Sequence, residues 1–173
     1  MTLDDAAFEA LFRAHYAPLC EFVYGYVGVR EAAEELVQDV FFGVWTRRER
    51  WEPSDSARAY LYGAARNRAL NHLRNARATR HRDERAGAEE AAPAMGAPAP
   101  DAAARIEREE TAAAVRRAIA ALPERARLAV TLRWEHGLRY AEVAEVMGIS
   151  TKGVERLLTR AMTALRAGLG EGG

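Results

Sequence analysis

The sequence predicts an all-α protein made of two small helical domains, residues 1–80 and 105–170, joined by a flexible linker, residues 81–104, that is rich in alanine and proline. Apolar residues recur at intervals of three and four in both halves, the period of an amphipathic helix, and no stretch is convincing as a strand. Three prolines between positions 93 and 100 forbid a continuous helix in the linker. The C-terminal half also contains the pattern of a helix-turn-helix.

Three amphipathic helices are predicted in the first domain. The first spans Ala6 to Val27, and Pro18 is expected to kink or divide it. The second, Glu31 to Trp45, carries acidic residues near its N-terminal end, where the helix dipole favours them. The third runs from about Asp55 to Ala78 and is expected to turn its leucines toward the core. Three such helices make one small domain.

Residues 140–157, YAEVAEVMGISTKGVERL, predict the helix-turn-helix. Ala144 is small where two helices would cross, and Gly148 can adopt the left-handed conformation that ends a helix. Ser150 supplies an N-cap where the second helix should start. The alternative is an ordinary pair of short helices joined at a glycine. In a DNA-reading module, the second helix of such a pair enters the major groove.

Composition and spacing argue against several classes of protein. No apolar run approaches the ~20 residues of a membrane span, and the start of the chain, with Asp4 and Asp5, lacks the features of a secretion signal, so we expect a cytoplasmic protein. One cysteine, Cys20, excludes an internal disulfide and a multi-thiolate metal site. The histidines have no ligand-spaced neighbours, and there is no phosphate loop or nucleophile elbow. We therefore predict no metal, no cofactor and no enzymatic activity.

Basic and acidic residues balance over the whole chain, 25 of each, but they segregate along it. Residues 66–85 hold seven arginines and two acids, whereas residues 1–58 hold six arginines and eleven acids. A basic segment suits a polyanion, and an acidic surface suits a basic partner. The alternative is that these charges only solvate helix faces, which is less convincing for the dense arginine run.

Three segments carry a resemblance to a known family. EELVQDVFFGVW (34–45) and ARAYLYGAARNRALNHLR (57–74) look like the second conserved region of the bacterial RNA polymerase sigma factors of the extracytoplasmic-function group (ECF, group IV), and ALPERARLAVTLRWEHGLRYAEVAEVMGIS (121–150) looks like the fourth. The resemblance implies that the protein binds core RNA polymerase, recognises two promoter elements and opens the DNA between them. It also implies an anti-sigma factor as a partner.

The resemblance assigns one face of the second helix to core RNA polymerase. In this family that helix docks on the coiled-coil clamp of the largest polymerase subunit, and Glu35, Gln38 and Asp39 fall on the matching polar positions. An acidic helix edge would complement a basic partner. Glu35 and Asp39, four residues apart, are expected to share a face. The alternative is an ordinary solvated face.

The third helix and the loop before it are predicted to bind the minus-ten promoter element. Opening DNA requires a basic track for phosphates and a site where an unstacked base can be held. By resemblance, Asn67 and Asn71 contact this element, and the loop at Trp51 captures a flipped base. Tyr60 stands where many relatives have tryptophan, and Trp51 could equally be a core plug. The predicted residues are Trp51, Tyr60, Arg66, Asn67, Asn71, Arg74 and Arg77.

The second helix of the helix-turn-helix is predicted to read the minus-thirty-five element. On its first two turns, the side chains expected to reach base edges are Thr151, Lys152, Glu155 and Arg156. The side chains expected to hold phosphates are Arg139, Thr159 and Arg160. The family most often has a basic residue where Glu155 stands and threonine where Gly153 stands, so the preferred promoter sequence is expected to differ. The predicted residues are Arg139, Ser150, Thr151, Lys152, Glu155, Arg156, Thr159 and Arg160.

The sequence therefore predicts a sigma factor whose partners are core RNA polymerase, promoter DNA and an anti-sigma factor, with no insertion of this chain into a membrane. The alternative function is a free-standing helix-turn-helix regulator that binds duplex DNA without polymerase. A helical adaptor sequestered by another protein would show neither activity. The face of the second helix that bears Glu35 and Gln38 discriminates the first two, because only a sigma factor requires it for polymerase binding.

Overall fold

The structure is a computed structural model that describes residues 3–53, 56–83 and 102–170, with side chains described from residue 106 onward in the last range. These ranges contain only helices and connecting turns, so the prediction of an all-α fold is confirmed. A π-helical turn, Thr131–Glu135, continues the fifth helix. The helices are α1 (Asp5–Val27), α2 (Arg30–Thr46), α3 (Ala57–Asp83), α4 (Ala102–Ala120), α5 (Glu124–Val130), α6 (Tyr140–Met147) and α7 (Thr151–Gly170).

The first compact unit is a bundle of α1, α2 and α3, which all pack against one another. Its buried side chains repeat along each helix at three- and four-residue spacing, as in Leu19 and Val23 of α1 and Val37, Val40 and Val44 of α2. Burial of such aliphatic side chains supplies the main stabilisation of the unit. Each helix consequently keeps one face for the core and leaves the opposite face to solvent.

Pro18 does not divide α1, because the helix continues from Asp5 to Val27 with Pro18 inside it. Pro18 is exposed, so the carbonyl that loses its helical partner can hydrogen-bond to water. The ends of α1 follow ordinary capping rules. Asp4 accepts a hydrogen bond from the Ala7 N–H at 2.7 Å, and Gly28 ends the helix at a φ of 70°.

The second compact unit is built on α4, α5 and α7, with α7 packed against both other helices. Leu132, Leu138, Val143 and Val154 are fully buried, so the π-helical turn and the helices on either side of it share one core. Seven successive residues of α4, 106 to 112, are exposed, so this stretch of the helix lies outside that core.

Both ends of the predicted linker are helical. The third helix reaches Asp83, three residues into the segment 81–104, and α4 begins at Ala102. Alanine and arginine are among the better helix formers, and they prolong both helices beyond their packed parts. Residues 84–101 lie outside the described residues, so the structure does not test the prediction of flexibility there.

Within residues 3–53, 56–83 and 102–170, no helix is long and apolar enough to cross a membrane. The same ranges contain no group of three or more histidine, cysteine, aspartate or glutamate side chains that could hold a metal ion. Cys20 is buried, and burial raises the pKa of its thiol.

Candidate functional site

One face of α2 is exposed along the length of the helix. It carries all three residues predicted to contact polymerase, and it lies opposite the buried Val37, Val40 and Val44. Helical spacing of three and four residues brings its members into one row. This row, here named the α2 stripe, consists of Glu31, Glu35, Gln38, Asp39, Phe42 and Thr46.

Two members of the α2 stripe contact neighbouring helices. The Gln38 side-chain amide donates to the Tyr16 hydroxyl of α1 at 3.5 Å. Asp39 forms an ion pair with Arg68 of α3, with 3.8 Å between Oδ2 and Nη1. A Cβ added at Gly43 would lie 3.8 Å from Nη2 of Arg68, so the Arg68 guanidinium lies close to the backbone of α2 at this glycine. The stripe is thus connected to α3, the helix with the predicted DNA-binding residues.

Phe42 is a member of the α2 stripe that the sequence analysis did not single out. Its side chain is 67% exposed, whereas the adjacent Phe41 is 2% exposed. Spacing could have identified it, because Phe42 lies three residues after Asp39 and four after Gln38, on their side of the helix. The run of apolar residues around it concealed this position.

The middle and the C-terminal half of α3 present polar side chains to solvent. Asn67, Asn71, Arg74 and Arg77 are exposed, and Arg66 is half-buried. The Arg74 guanidinium donates to Oδ1 of Asn71 at 3.2 Å, so these two predicted DNA-binding side chains already lie together. Such a face offers hydrogen-bond donors and acceptors next to positive charge, the combination that suits a nucleic-acid backbone and its base edges.

Trp51 and Tyr60 lie against each other near the start of α3. Their ring centroids are 5.5 Å apart with an interplanar angle of 80°, and Trp51 is only 8% exposed. Tyr60 is half-buried. Little of the Trp51 ring is open to an incoming base, so its geometry favours the packing alternative in this state of the protein.

The turn between α6 and α7 has the predicted helix-turn-helix geometry. Gly148 has a φ of 65°, and the Ile149 N–H donates to the carbonyl of Ala144 at 3.0 Å. Ser150 caps α7, because its hydroxyl accepts a hydrogen bond from the Gly153 N–H at 3.0 Å. Ser150, predicted to bind DNA, therefore has a structural task that fixes the start of α7.

The predicted reading face of α7 is exposed. It lies opposite a buried row of apolar side chains, Val154, Leu158, Ala161 and Leu165, that holds α7 on its unit. This separation leaves the polar side free for a groove of DNA. The exposed predicted residues of α7 are Thr151, Lys152, Glu155, Arg156, Thr159 and Arg160.

Arg139 and Glu142 fix the start of α6. Glu142 is only 4% exposed; its Oε2 accepts the Arg139 N–H at 2.8 Å, and its Oε1 lies 3.4 Å from Nη2 of the Arg139 guanidinium. Arg139 itself is exposed, at 74% of its side chain. Glu142 is not among the residues predicted from the sequence, although a glutamate three residues after a helix N-cap is one half of a capping box.

A helical bundle with an exposed arginine- and asparagine-bearing helix, followed by a helix-turn-helix unit, is an arrangement typical of a DNA-binding protein. Two families match the chain: Sigma-70 region 2 over residues 11–79 and Sigma-70 region 4 over residues 112–165. The chain is also 31% identical over 165 residues to the ECF RNA polymerase sigma factor RpoE of Cereibacter sphaeroides, covering 94% of this chain and 86% of that one. The chain therefore belongs to the ECF RNA polymerase sigma factors, and it directs promoter-specific transcription with RNA polymerase.

Further comparisons agree with this assignment. The RNA polymerase sigma-H factor of Pseudomonas aeruginosa is 30% identical over 168 residues, covering 94% of this chain and 86% of its own. The sigma factor RpoE from Bartonella quintana, solved in complex with the anti-sigma factor NepR, is 19% identical with a TM-score of 0.65, covering 94% of this chain and 96% of that one. CnrH, solved with the cytosolic domain of CnrY, is 23% identical with a TM-score of 0.63, covering 97% and 90%. These two structures show the shared fold.

Proposed function

We propose a division of tasks among three exposed helix faces of this sigma factor. The α2 stripe docks on core RNA polymerase, α3 binds and opens the minus-ten element, and α7 reads the minus-thirty-five element. The observation that carries the proposal is that the predicted contact residues on these helices are exposed on the side away from the core, except for the half-buried Tyr60 and Arg66. Side chains on such faces are not needed for core packing and can therefore contact partner molecules.

The polymerase assignment is supported by the charge and position of the α2 stripe. Glu35, Gln38 and Asp39 occupy one exposed row, and the acidic members would complement a basic partner. Because Val37 and Val44 lock the opposite face into the core, the row is presented on a rigid element. Rigid presentation limits the entropy lost on docking.

The minus-ten assignment rests on Asn67, Asn71, Arg74 and Arg77. Their side chains are exposed, and the arginines would bind phosphates while the asparagine amides meet base edges. Arg66 would contribute from a half-buried position. Base capture by Trp51 would require this buried ring to come out, whereas Tyr60 is already partly exposed. We therefore propose Tyr60 as the more accessible of the two stacking residues.

The minus-thirty-five assignment rests on α7 and the residue that precedes α6. Thr151, Lys152, Glu155 and Arg156 lie on the first two turns, where a docked helix meets base edges. Arginine favours guanine and glutamate favours the amino group of cytosine, each good pair discriminating by ~1–3 kcal/mol. Ser150 positions this helix, and we assign the phosphates to Arg139, Thr159 and Arg160.

We also infer a regulatory partner and a cellular location. Two proteins of the same fold were solved with partner proteins, one of them the anti-sigma factor NepR, and we propose that an anti-sigma factor masks one or more of these helix faces here. The protein would act in the cytoplasm, where core polymerase is found, and would form and break no bonds through its own side chains.

Two double variants separate the proposed docking on polymerase from the proposed reading of DNA. Glu35→Ala with Gln38→Ala should abolish binding to core RNA polymerase in a titration with labelled sigma factor, and should leave binding of the free chain to promoter DNA unchanged. Lys152→Ala with Arg156→Ala is the matched control, which should weaken binding to the minus-thirty-five element and spare polymerase binding. If the first variant binds polymerase as the wild type does, the assignment of the α2 stripe is wrong.

A further inference from the structure

The α2 stripe contains one apolar side chain, Phe42. Its exposed fraction of 67% exceeds that of every other large apolar side chain in the part of the chain that the structure describes; Val29 and Ile106, at 52%, come next. An isolated exposed apolar residue is ordinary on a protein surface. Phe42 is different because of where it lies on α2.

Phe42 lies among the predicted docking residues. It follows Asp39 by three residues, Gln38 by four and Glu35 by seven, so its ring continues their row on the surface of α2. Phe41, one residue earlier, points into the core and packs its ring 4.9 Å from that of Phe12. The core therefore fixes the backbone that presents Phe42.

Charge is unevenly distributed along the α2 stripe. Glu31 and Glu35 occupy its N-terminal half, whereas Asp39 is already paired with Arg68, which offsets its charge. The stripe consequently changes from acidic at Glu31 and Glu35 to apolar at Phe42. A complementary surface would present basic groups at one end and an apolar recess at the other.

We propose that Phe42 is the apolar anchor of the polymerase-docking surface, and that the core polymerase surface opposite it is an apolar recess beside basic side chains. This inference rests on the proposed docking of the α2 stripe. Aromatic side chains that fill a recess near the centre of an interface often dominate its affinity, while the polar contacts around them exclude water and set the orientation. The position of Phe42 within the α2 stripe and its exposed area suit it to this role as an interface anchor.

The test compares variants of the full chain in a fluorescence titration with core RNA polymerase. Phe42→Ala should weaken binding by about ten- to a hundredfold, the range typical of truncating an interface anchor. Phe42→Leu retains an apolar side chain and should stay within about threefold of the wild type, since hydrophobic swaps of similar size are tolerated best. Val29→Ala, which removes another exposed apolar side chain from the same unit, is the matched control and should leave the affinity unchanged. Phe42 is exposed and alanine favours helix, so the variant should fold, which a thermal unfolding scan verifies.

The outcomes separate this inference from the proposed function. If Phe42→Ala binds polymerase as the wild type does while Glu35→Ala with Gln38→Ala does not, the anchor is refuted and the docking surface stands. If neither variant loses affinity, the docking surface itself is refuted, and Phe42 with it. A loss of affinity for single-stranded promoter DNA by the free Phe42→Ala chain, with polymerase binding intact, would assign the ring to DNA and also overturn the proposal.

Discussion

Asp39 of α2 and Arg68 of α3 form an ion pair that joins the helix proposed to dock on polymerase to the helix proposed to open DNA. The distance between Oδ2 and Nη1 is 3.8 Å, and the two side chains are 55% and 41% exposed. At that exposure the attraction is screened by water and salt. The pair can therefore open at little cost when either residue meets a partner.

Replacing Asp39 with asparagine should weaken docking on polymerase while leaving the stability of the fold almost unchanged. Exposed ion pairs contribute ~0–1 kcal/mol, so Asp39→Asn should change the free energy of unfolding by no more than that. Its affinity for core polymerase should fall severalfold, because the pair with Arg68 is proposed to open on docking and leave Asp39 facing a basic surface. Urea unfolding and a polymerase titration on the same preparations measure the two effects. A large loss of stability with unchanged docking would make the pair structural.

Glu142 should be required for the stability of the helix-turn-helix unit. Its buried carboxylate accepts the Arg139 N–H, and removing it leaves a donor without its partner at the start of α6. We expect Glu142→Ala to cost ~1–3 kcal/mol, with a smaller loss for Glu142→Gln, which can still accept that bond. Hydrogen exchange of α6 and α7 checks this. Unchanged exchange in the alanine variant would show that the cap is dispensable.

The two glycines of the helix-turn-helix should respond oppositely to alanine. A Cβ on Gly153 would meet Ser150 Oγ at 3.4 Å and Ile149 Cδ1 at 3.5 Å, which are ordinary contacts. Gly153→Ala should therefore stabilise the unit by up to ~1 kcal/mol through helix propensity. Gly148 has a φ of 65°, so Gly148→Ala should destabilise it by ~1–2 kcal/mol. Denaturant unfolding of both variants measures these changes in the free energy of unfolding. Destabilisation by Gly153→Ala would show that α7 is more crowded there than its geometry indicates.

Tyr62 should make the first unit sensitive to alkaline pH. Its ring is 1% exposed, and burial raises the pKa of its hydroxyl to about 12, above the usual value of 10.0. Because this pKa is higher in the folded state than in the unfolded state, the protonated hydroxyl favours folding. Its contribution to stability is fully present below pH 10 and is lost as the pH rises from 10 toward 12. Absorbance titration should show a late-ionising tyrosine that is missing in Tyr62→Phe, and that variant should lose less stability over the same range. Identical curves for the two proteins would contradict the burial of the hydroxyl.

Features encoded by neighbouring residues could be predicted from the sequence. The buried Val37, Val40 and Val44 follow helical spacing, and the turn at Gly148 with its Ser150 cap depends on a few adjacent side chains. The helices, the helix-turn-helix and the family followed from such patterns.

Features that depend on tertiary packing could not be predicted in the same way. Burial of Trp51 arises where the loop before α3 meets Tyr60, and nothing in the local pattern distinguishes a packed tryptophan from an exposed one. The Asp39–Arg68 pair joins residues 29 positions apart on different helices.

The most direct test of the central claim is to map transcription start sites in a reaction that contains only core RNA polymerase, this protein and genomic DNA fragments. We expect discrete starts downstream of two shared DNA elements. These starts should be lost when Glu35 and Gln38 are both changed to alanine, and their sequence preference should shift when Glu155 or Arg156 is replaced. If the protein fails to associate with core polymerase and binds duplex DNA tightly in the absence of polymerase, it is a free-standing regulator and the proposed docking on polymerase is wrong.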